Sequence, residues 1–173
     1  MKKANKSIFV TLLLVVIAVG LLGVGSSFNG SATRAPDGTG VSEDPVPCIN
    51  PILPIPAEYH IHPVLKIVAD GKNIEVPMNI GLSLFGCERA VHTHDNTGTI
   101  HIEPNYYQAF TLGDFFWVWQ KDFSKDKVLD YIRDAEHEIV MTVDGTASAE
   151  FENLVLKDNQ QIIITYEAIK KLY

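Results

Sequence analysis

An alternating stretch at positions 89–104, RAVHTHDNTGTIHIEP, constrains the fold of this chain most strongly. Apolar and polar side chains alternate in both halves of the stretch, which is the pattern of half-buried β-strands. Asn96, Thr97 and Gly98 lie between the halves, and Asn and Gly tolerate the left-handed backbone that a tight reversal requires. The sequence therefore predicts a β-hairpin whose two faces carry different side chains.

The register of this hairpin follows from its turn. A turn of two or four residues places His92 opposite His101 and Ala90 opposite Glu103. The inner face then carries the side chains that can pack on a core, namely Val91, Thr93, Ile100 and Ile102. The other face, which we expect to be exposed, carries four metal-ligand residues, namely His92, His94, His101 and Glu103.

Three imidazoles and a carboxylate on one face can converge on a metal ion. Opposed cross-strand Cβ atoms lie about 5 Å apart, and residues i and i+2 lie about 7 Å apart, so the side chains can meet. Zinc and copper bind histidine nitrogens at about 2 Å. We predict a copper or zinc site formed by His92, His94 and His101, with Glu103 completing or buffering it. Histidines that respond to pH, and a catalytic role without metal, remain alternatives.

A second histidine pair, His60 and His62, lies upstream of another predicted hairpin. Asp70-Gly71 is a two-residue turn signal, and it pairs Ile67 with Ile74 across the ladder. Extending the alternation back through the intervening proline places both histidines on the polar face of the sheet. We therefore include His60 and His62 among the candidate metal ligands.

The first 25 residues predict a signal anchor that crosses a membrane once. Three lysines precede an uncharged run of 17 apolar or small residues at positions 8–24. As a helix this run would span roughly 26 Å, close to the thickness of a bilayer core. The lysines place the N-terminus inside and the rest of the chain outside the cell. A signal peptide that is cleaved to release a secreted protein is the alternative.

The remaining chain divides into a predicted linker and a predicted domain. Residues 26–47 are rich in Ser, Gly, Thr, Pro and Asp, which indicates a flexible tether. Residues 48–173 are enough for one extracytoplasmic globular domain. Beyond the apolar run, 11 basic residues face 21 acidic ones, so nucleic acid is not an expected partner. Outside the cell we expect Cys48 and Cys87 to form a disulfide, with ligation of a metal by Cys87 as the alternative.

Sequence patterns after the histidine hairpin predict one helix, a second hairpin and a final strand. Thr111 and Asp114 form a capping-box pair at the start of a helix over 110–119. We expect its aromatic residues to fill the core, namely Phe115, Phe116, Trp117 and Trp119. Residues 124–135 predict a short helix or an irregular turn, with His137 solvated near a helix end. Three side chains of that segment are expected to point inward, namely Val128, Leu129 and Ile132.

Asp144-Gly145 is the second turn signal, between predicted strands at 138–143 and 147–151, and residues 161–166 predict a buried final strand. These elements predict a small α+β domain with a mainly antiparallel sheet and a short aromatic helix. A β-grasp-like arrangement is one form that they can take. The alternative is a small β-sandwich.

With these motifs, residues 48–166 resemble an uncharacterised family of membrane-anchored or secreted archaeal and bacterial domains. The shared pattern is HxH, then C, then HTHDxTGxIHIE, then FTLGxFFxVW, and it is found here at residues 60–62, 87, 92–103 and 110–119. The resemblance implies an exported small domain built around the histidine hairpin. It implies no activity.

The sequence thus predicts a membrane-anchored extracytoplasmic domain that binds copper or zinc, for metal handling or for support of a membrane complex. Its expected partners are the membrane, through the N-terminal helix, and a membrane protein. A zinc-dependent hydrolytic enzyme, with Glu103 as general base at an open three-histidine site, is an alternative. A metal-free structural accessory domain is another, and a role other than catalysis is favoured.

Overall fold

The computed structural model describes residues 44–83 and 86–170. Within these residues the strands, in chain order, are β1 (Val64–Ala69), β2 (Lys72–Ile74), β3 (Val91–His92), β4 (His101–Ile102), β5 (Phe123–Ser124), β6 (Lys127–Val128), β7 (Tyr131–Ile132), β8 (His137–Val143), β9 (Thr146–Ser148) and β10 (Gln161–Ala168). The helix α1 spans Leu112–Trp119, and single 3-10 turns lie at Ala57–Tyr59 and Phe151–Asn153.

The largest sheet has five strands in the order β2-β1-β10-β8-β9. The last strand, β10, lies in the middle and runs parallel to β1, whereas every other neighbouring pair is antiparallel. Two hairpins thus flank a central final strand, which is the strand order of a β-grasp sheet. The predicted α+β class is confirmed, and the β-sandwich alternative is not.

Both predicted two-residue turns close hairpins of this sheet. Asp70 and Gly71 have φ values of 50° and 76°, and Asp144 and Gly145 have values of 51° and 79°. Two consecutive positive φ values define the turn type whose twist suits a two-residue hairpin. The predicted pairing of Ile67 with Ile74 is confirmed.

Alternation along β10 and the spacing of α1 build the core. Ile162, Ile164 and Tyr166 are buried on one face of the sheet. The capping box at the start of α1 is confirmed, since the Thr111 side chain accepts from the Asp114 N–H and the Asp114 carboxylate accepts from the Thr111 N–H. Helix residues at spacing i, i+3 and i+4 are buried in the same core, namely Leu112, Phe115 and Phe116.

Three expectations about the middle of the chain were wrong. Trp117 is 46% exposed, because it lies on the opposite side of α1 from the buried residues. Its ring lies under the Arg89 guanidinium, whose Cζ is 5.1 Å from the ring centroid. Residues 124–135 contribute to the three short strands β5, β6 and β7, and Ile132 is 59% exposed on the outer strand. His137 begins β8, where its ring stacks on Tyr166 with 4.9 Å between centroids.

Cys48 and Cys87 form the predicted disulfide, with their Cα atoms 5.4 Å apart. This bond excludes Cys87 as a metal ligand. The disulfide joins two segments that also share backbone hydrogen bonds, from Ile49 N–H to the Glu88 carbonyl and from Ala90 N–H to the Pro47 carbonyl.

In the part of the chain that the structure describes, no helix is long and apolar enough to cross a membrane. The predicted signal anchor at 1–25 and most of the predicted linker at 26–47 lie outside the described residues.

Candidate metal centre

The histidine hairpin has the predicted register. Val91 pairs with Ile102 and His92 pairs with His101, so β3 and β4 form a two-stranded antiparallel sheet. Asp95 organises the turn, since its Oδ1 accepts from the Thr97 N–H at 2.9 Å and from the Thr97 hydroxyl at 2.6 Å. Asp95 is therefore a turn residue.

Gly98 completes the turn at a position that only glycine can occupy without distortion. Its φ is +87°, and an added Cβ would collide with the Leu65 carbonyl oxygen. The Leu65 N–H in turn donates to the Gly98 carbonyl at 2.8 Å. This contact attaches the histidine hairpin to β1 of the large sheet.

The upstream histidine pair lies on the other side of β4. Ile61 and Ile102 exchange two backbone hydrogen bonds, of 3.2 and 3.1 Å, in an isolated antiparallel bridge. This register sets His60 beside Glu103 and His62 beside His101 on one face of β4. The distance from His60 Nε2 to Glu103 Oε1 is 2.8 Å.

The six predicted ligands therefore come together as two overlapping groups. One group is His92, His94, His101 and Glu103, and the other is His60, His62, His101 and Glu103. Each residue offers one ligand atom, and within each group these atoms lie within 4.8 Å of one another. His101 and Glu103, on the central strand β4, belong to both groups.

The prediction that the histidine face is exposed was wrong for His92, whose side chain is 0% exposed. The loop that contains Gly81 packs directly against His92. The approach is so close that an added Cβ on Gly81 would lie 3.1 Å from His92 Cβ. His101 and Glu103 are half-buried, and His94 is exposed. The centre thus extends from the core to the surface.

The position of the His92 ring is determined by the backbone. His92 Nδ1 lies 2.8 Å from the Arg89 carbonyl oxygen, so Nδ1 carries the proton and donates. Nε2 then presents its lone pair, and it lies 3.0 Å from His94 Nε2. A backbone carbonyl that holds the far nitrogen of an imidazole is the usual support of a metal-binding histidine.

His101 carries an unsatisfied polar atom at the centre of the cluster. Its Nδ1 is buried and makes no hydrogen bond within the described residues, although Glu103 Oε1 lies 3.4 Å away. Buried polar atoms are seldom left without a partner. A metal ion would supply one.

Burial keeps the two inner histidines uncharged. Desolvation lowers the pKa of His92, and it also lowers the pKa of His101, where His94, His62 and His92 add charge repulsion. A neutral imidazole has the free lone pair that a metal requires. Both rings are therefore ready to bind metal at neutral pH.

Two carboxylates near the centre were missed in the sequence. Glu88 Oε1 lies 3.5 Å from His92 Nε2, and the alternation that selected His92 and His94 also places position 88 on the same face. Asp158 accepts from the His62 N–H at 2.9 Å, and its Oδ1 lies 3.9 Å from the His62 ring. Nothing near Asp158 in the sequence indicates this long-range contact.

A cleft lies beside the centre. It has a volume of about 440 Å³ and is lined by both Glu88 and Glu103. Its other wall is mainly apolar and includes Ile49, Leu53 and Ile55. The Glu103 side chain is therefore accessible from this cleft.

Comparison with known proteins adds no relative, because no family model, curated protein or solved structure matches this chain. The resemblance to a family of exported domains therefore stays a prediction.

Proposed function

We propose that this chain is a membrane-anchored extracytoplasmic domain that binds copper or zinc through His92, His94 and His101. Its use would be metal handling or support of a membrane complex. The observation that carries the proposal is the pair of Nε2 atoms of His92 and His94, 3.0 Å apart, with the His92 ring held by a backbone carbonyl. Two imidazoles that bind one zinc ion tetrahedrally at about 2.0 Å have their nitrogens about 3.3 Å apart.

The chemistry of the donors supports copper(II) or zinc. Imidazole nitrogens and carboxylate oxygens suit these ions, and the only two cysteines of the chain form a disulfide. Donors of this kind would not favour copper(I), which prefers sulfur ligands. The net charge of −7 for the whole chain also favours the approach of cations.

Binding is better supported than hydrolysis. The hydrolytic alternative requires Glu103 as a free general base. Glu103 Oε1 instead lies 2.8 Å from His60 Nε2 and 3.4 Å from His101 Nδ1, within both donor groups. A carboxylate in that position is suited to bind metal. A carboxylate bound to metal is not free to accept a proton from water.

Metal titration of the full chain tests the proposal. The chain is purified in detergent with an affinity tag that contains no histidine, stripped with a chelator, and titrated with copper(II) and with zinc. We expect binding at micromolar concentration or below, and a loss of affinity of more than about 10-fold in the His92→Ala/His94→Ala variant. His137→Ala is the matched control, because His137 lies outside both donor groups and should leave binding unchanged.

If neither ion binds at micromolar concentration, the metal function is wrong. If the double variant binds as many ions as the wild type does, and as tightly, the assignment of the site to His92 and His94 is wrong. Membrane fractionation of the same chain tests the anchor. The full chain should remain in the membrane pellet after alkaline carbonate washing, whereas release of a shortened chain would support the cleaved signal peptide.

A further inference from the structure

The six candidate ligands are too many for a single ion of the proposed type. Structural zinc sites have four ligands, and catalytic sites have three protein ligands and a water. The cluster brings together five imidazoles and one carboxylate, namely His60, His62, His92, His94, His101 and Glu103. One ion would leave two or three of these donors without a role.

The two outer histidine pairs approach β4 from opposite sides. His92 ends β3, which is hydrogen-bonded to one edge of β4, and His94 follows two residues later. The pair His60 and His62 comes from the segment bridged to the other edge through Ile61. Each donor group contains only one of these two pairs.

His101 lies between these pairs and contacts the rings of both. Its ring centroid is 4.5 Å from that of His94 and 4.7 Å from that of His62. The His92 and His60 centroids lie 5.6 and 6.3 Å away. An ion on either side of His101 would therefore have two further imidazoles close by.

Glu103 is the second shared donor, and a carboxylate has two oxygens. One oxygen lies 2.8 Å from His60 Nε2, and the side chain is only 13% exposed. The ions of two-metal sites lie about 3.5–4 Å apart, a separation that the two oxygens of one carboxylate can bridge. Glu103 is placed to serve both groups.

We propose that this cluster binds two ions of copper(II) or zinc, bridged by Glu103. His92, His94 and His101 hold the first ion. His60 and His62 hold the second, which keeps an open position on the exposed side, since these side chains are 43% and 38% exposed. This inference rests on the proposed metal function and extends it to a dinuclear centre.

Metal content per chain tests the inference directly. The stripped full chain is loaded with excess copper(II), desalted and analysed for copper and protein, and the experiment is repeated with zinc. We expect two ions per chain for the wild type, one for His60→Ala/His62→Ala, and two for the His137→Ala control. His60→Gln/His62→Gln serves as the second variant if the alanine variant does not fold.

Electron paramagnetic resonance of the copper-loaded chain supplies an independent measurement. Two copper(II) ions a few ångströms apart should couple, which weakens the ordinary signal relative to the copper content. The His60→Ala/His62→Ala variant should give a full uncoupled signal from one ion. Glu103→Gln should reduce the coupling, because a neutral amide is a poor bridge.

The outcomes separate the two proposals. One ion per chain in both the wild type and the His60→Ala/His62→Ala variant would overturn the dinuclear centre and leave the proposed function in place. Two ions in that variant would place the second ion elsewhere and also overturn it. No bound ion in the wild type would overturn both.

Discussion

At the scale of single residues, burial determines the protonation state of His92 in the folded domain. The side chain is 0% exposed, and desolvation lowers its pKa below the ordinary 6.5. In the unfolded chain the same ring is solvated and has its ordinary pKa. Below neutral pH the unfolded chain therefore binds more protons at this position than the folded chain does, so acid favours unfolding.

For the chain without metal, we expect the free energy of unfolding to fall as the pH is lowered from about 7 towards 5. One such histidine contributes at most about 1.4 kcal/mol per pH unit. His92→Leu should make the fall shallower, because the variant has no group with a lowered pKa at this position. Denaturant unfolding with a chelator present, at a series of pH values, measures both. An unchanged pH dependence in His92→Leu would contradict this account.

At the scale of elements, the turns that close the hairpins differ in what surrounds them. Gly98 has φ +87° and lies against the Leu65 carbonyl oxygen. Gly145 has a similar φ of +79°, but no atom lies within 4 Å of an added Cβ. The two glycines share a backbone conformation, and only Gly98 also makes a close tertiary approach.

Gly98→Ala should therefore destabilise the domain more than Gly145→Ala. The left-handed backbone alone disfavours an L-residue by roughly 1–2 kcal/mol, which is the expected effect at Gly145. At Gly98 we expect a loss of roughly 3 kcal/mol or more, because the hairpin must also move away from β1. Chemical denaturation of both variants beside the wild type measures the difference, and equal losses would show that the close approach to Leu65 has no energetic effect.

Local patterns predicted the elements whose stability is local. The turns at Asp70-Gly71 and Gly98, and the capping box at Thr111, depend on residues within a few positions, so alternation and turn chemistry were sufficient. The register of β3 with β4 follows from its turn for the same reason. The prediction of a short helix or irregular turn at residues 124–135 was wrong, because the strands there have two residues each, too few to show a period.

The candidate centre was predictable only in part. The six ligands were named from residue type and alternation. Their division into two groups depends on the bridge between Ile61 and Ile102, and the contact of His62 with Asp158 depends on the segment that leads into β10. These contacts join segments that are far apart in the chain, and no local pattern in the sequence indicates that the segments meet.

At the scale of the whole molecule, the disulfide connects the start of the domain to the candidate metal centre. Cys48 and Cys87 lie 39 residues apart and join the segment at 46–49 to the segment at 87–90. The second segment contains Arg89, whose carbonyl oxygen positions the His92 ring. Val46 is fully buried in the core, so the first segment is also packed in place.

Removal of the disulfide should therefore lower both stability and metal affinity. In the chain-entropy model a loop of about 40 residues corresponds to a loss of about 4 kcal/mol in the free energy of unfolding. Denaturant unfolding of Cys48→Ser/Cys87→Ser measures that loss, and the wild type treated with a thiol reductant is the control for the serine side chains. In buffer without denaturant, we expect the folded fraction of the variant to bind metal more weakly as well, because the Arg89 carbonyl is less firmly held. A variant that loses stability but binds metal as the wild type does would show that the hydrogen bonds to residues 47–49 position Arg89 without the disulfide.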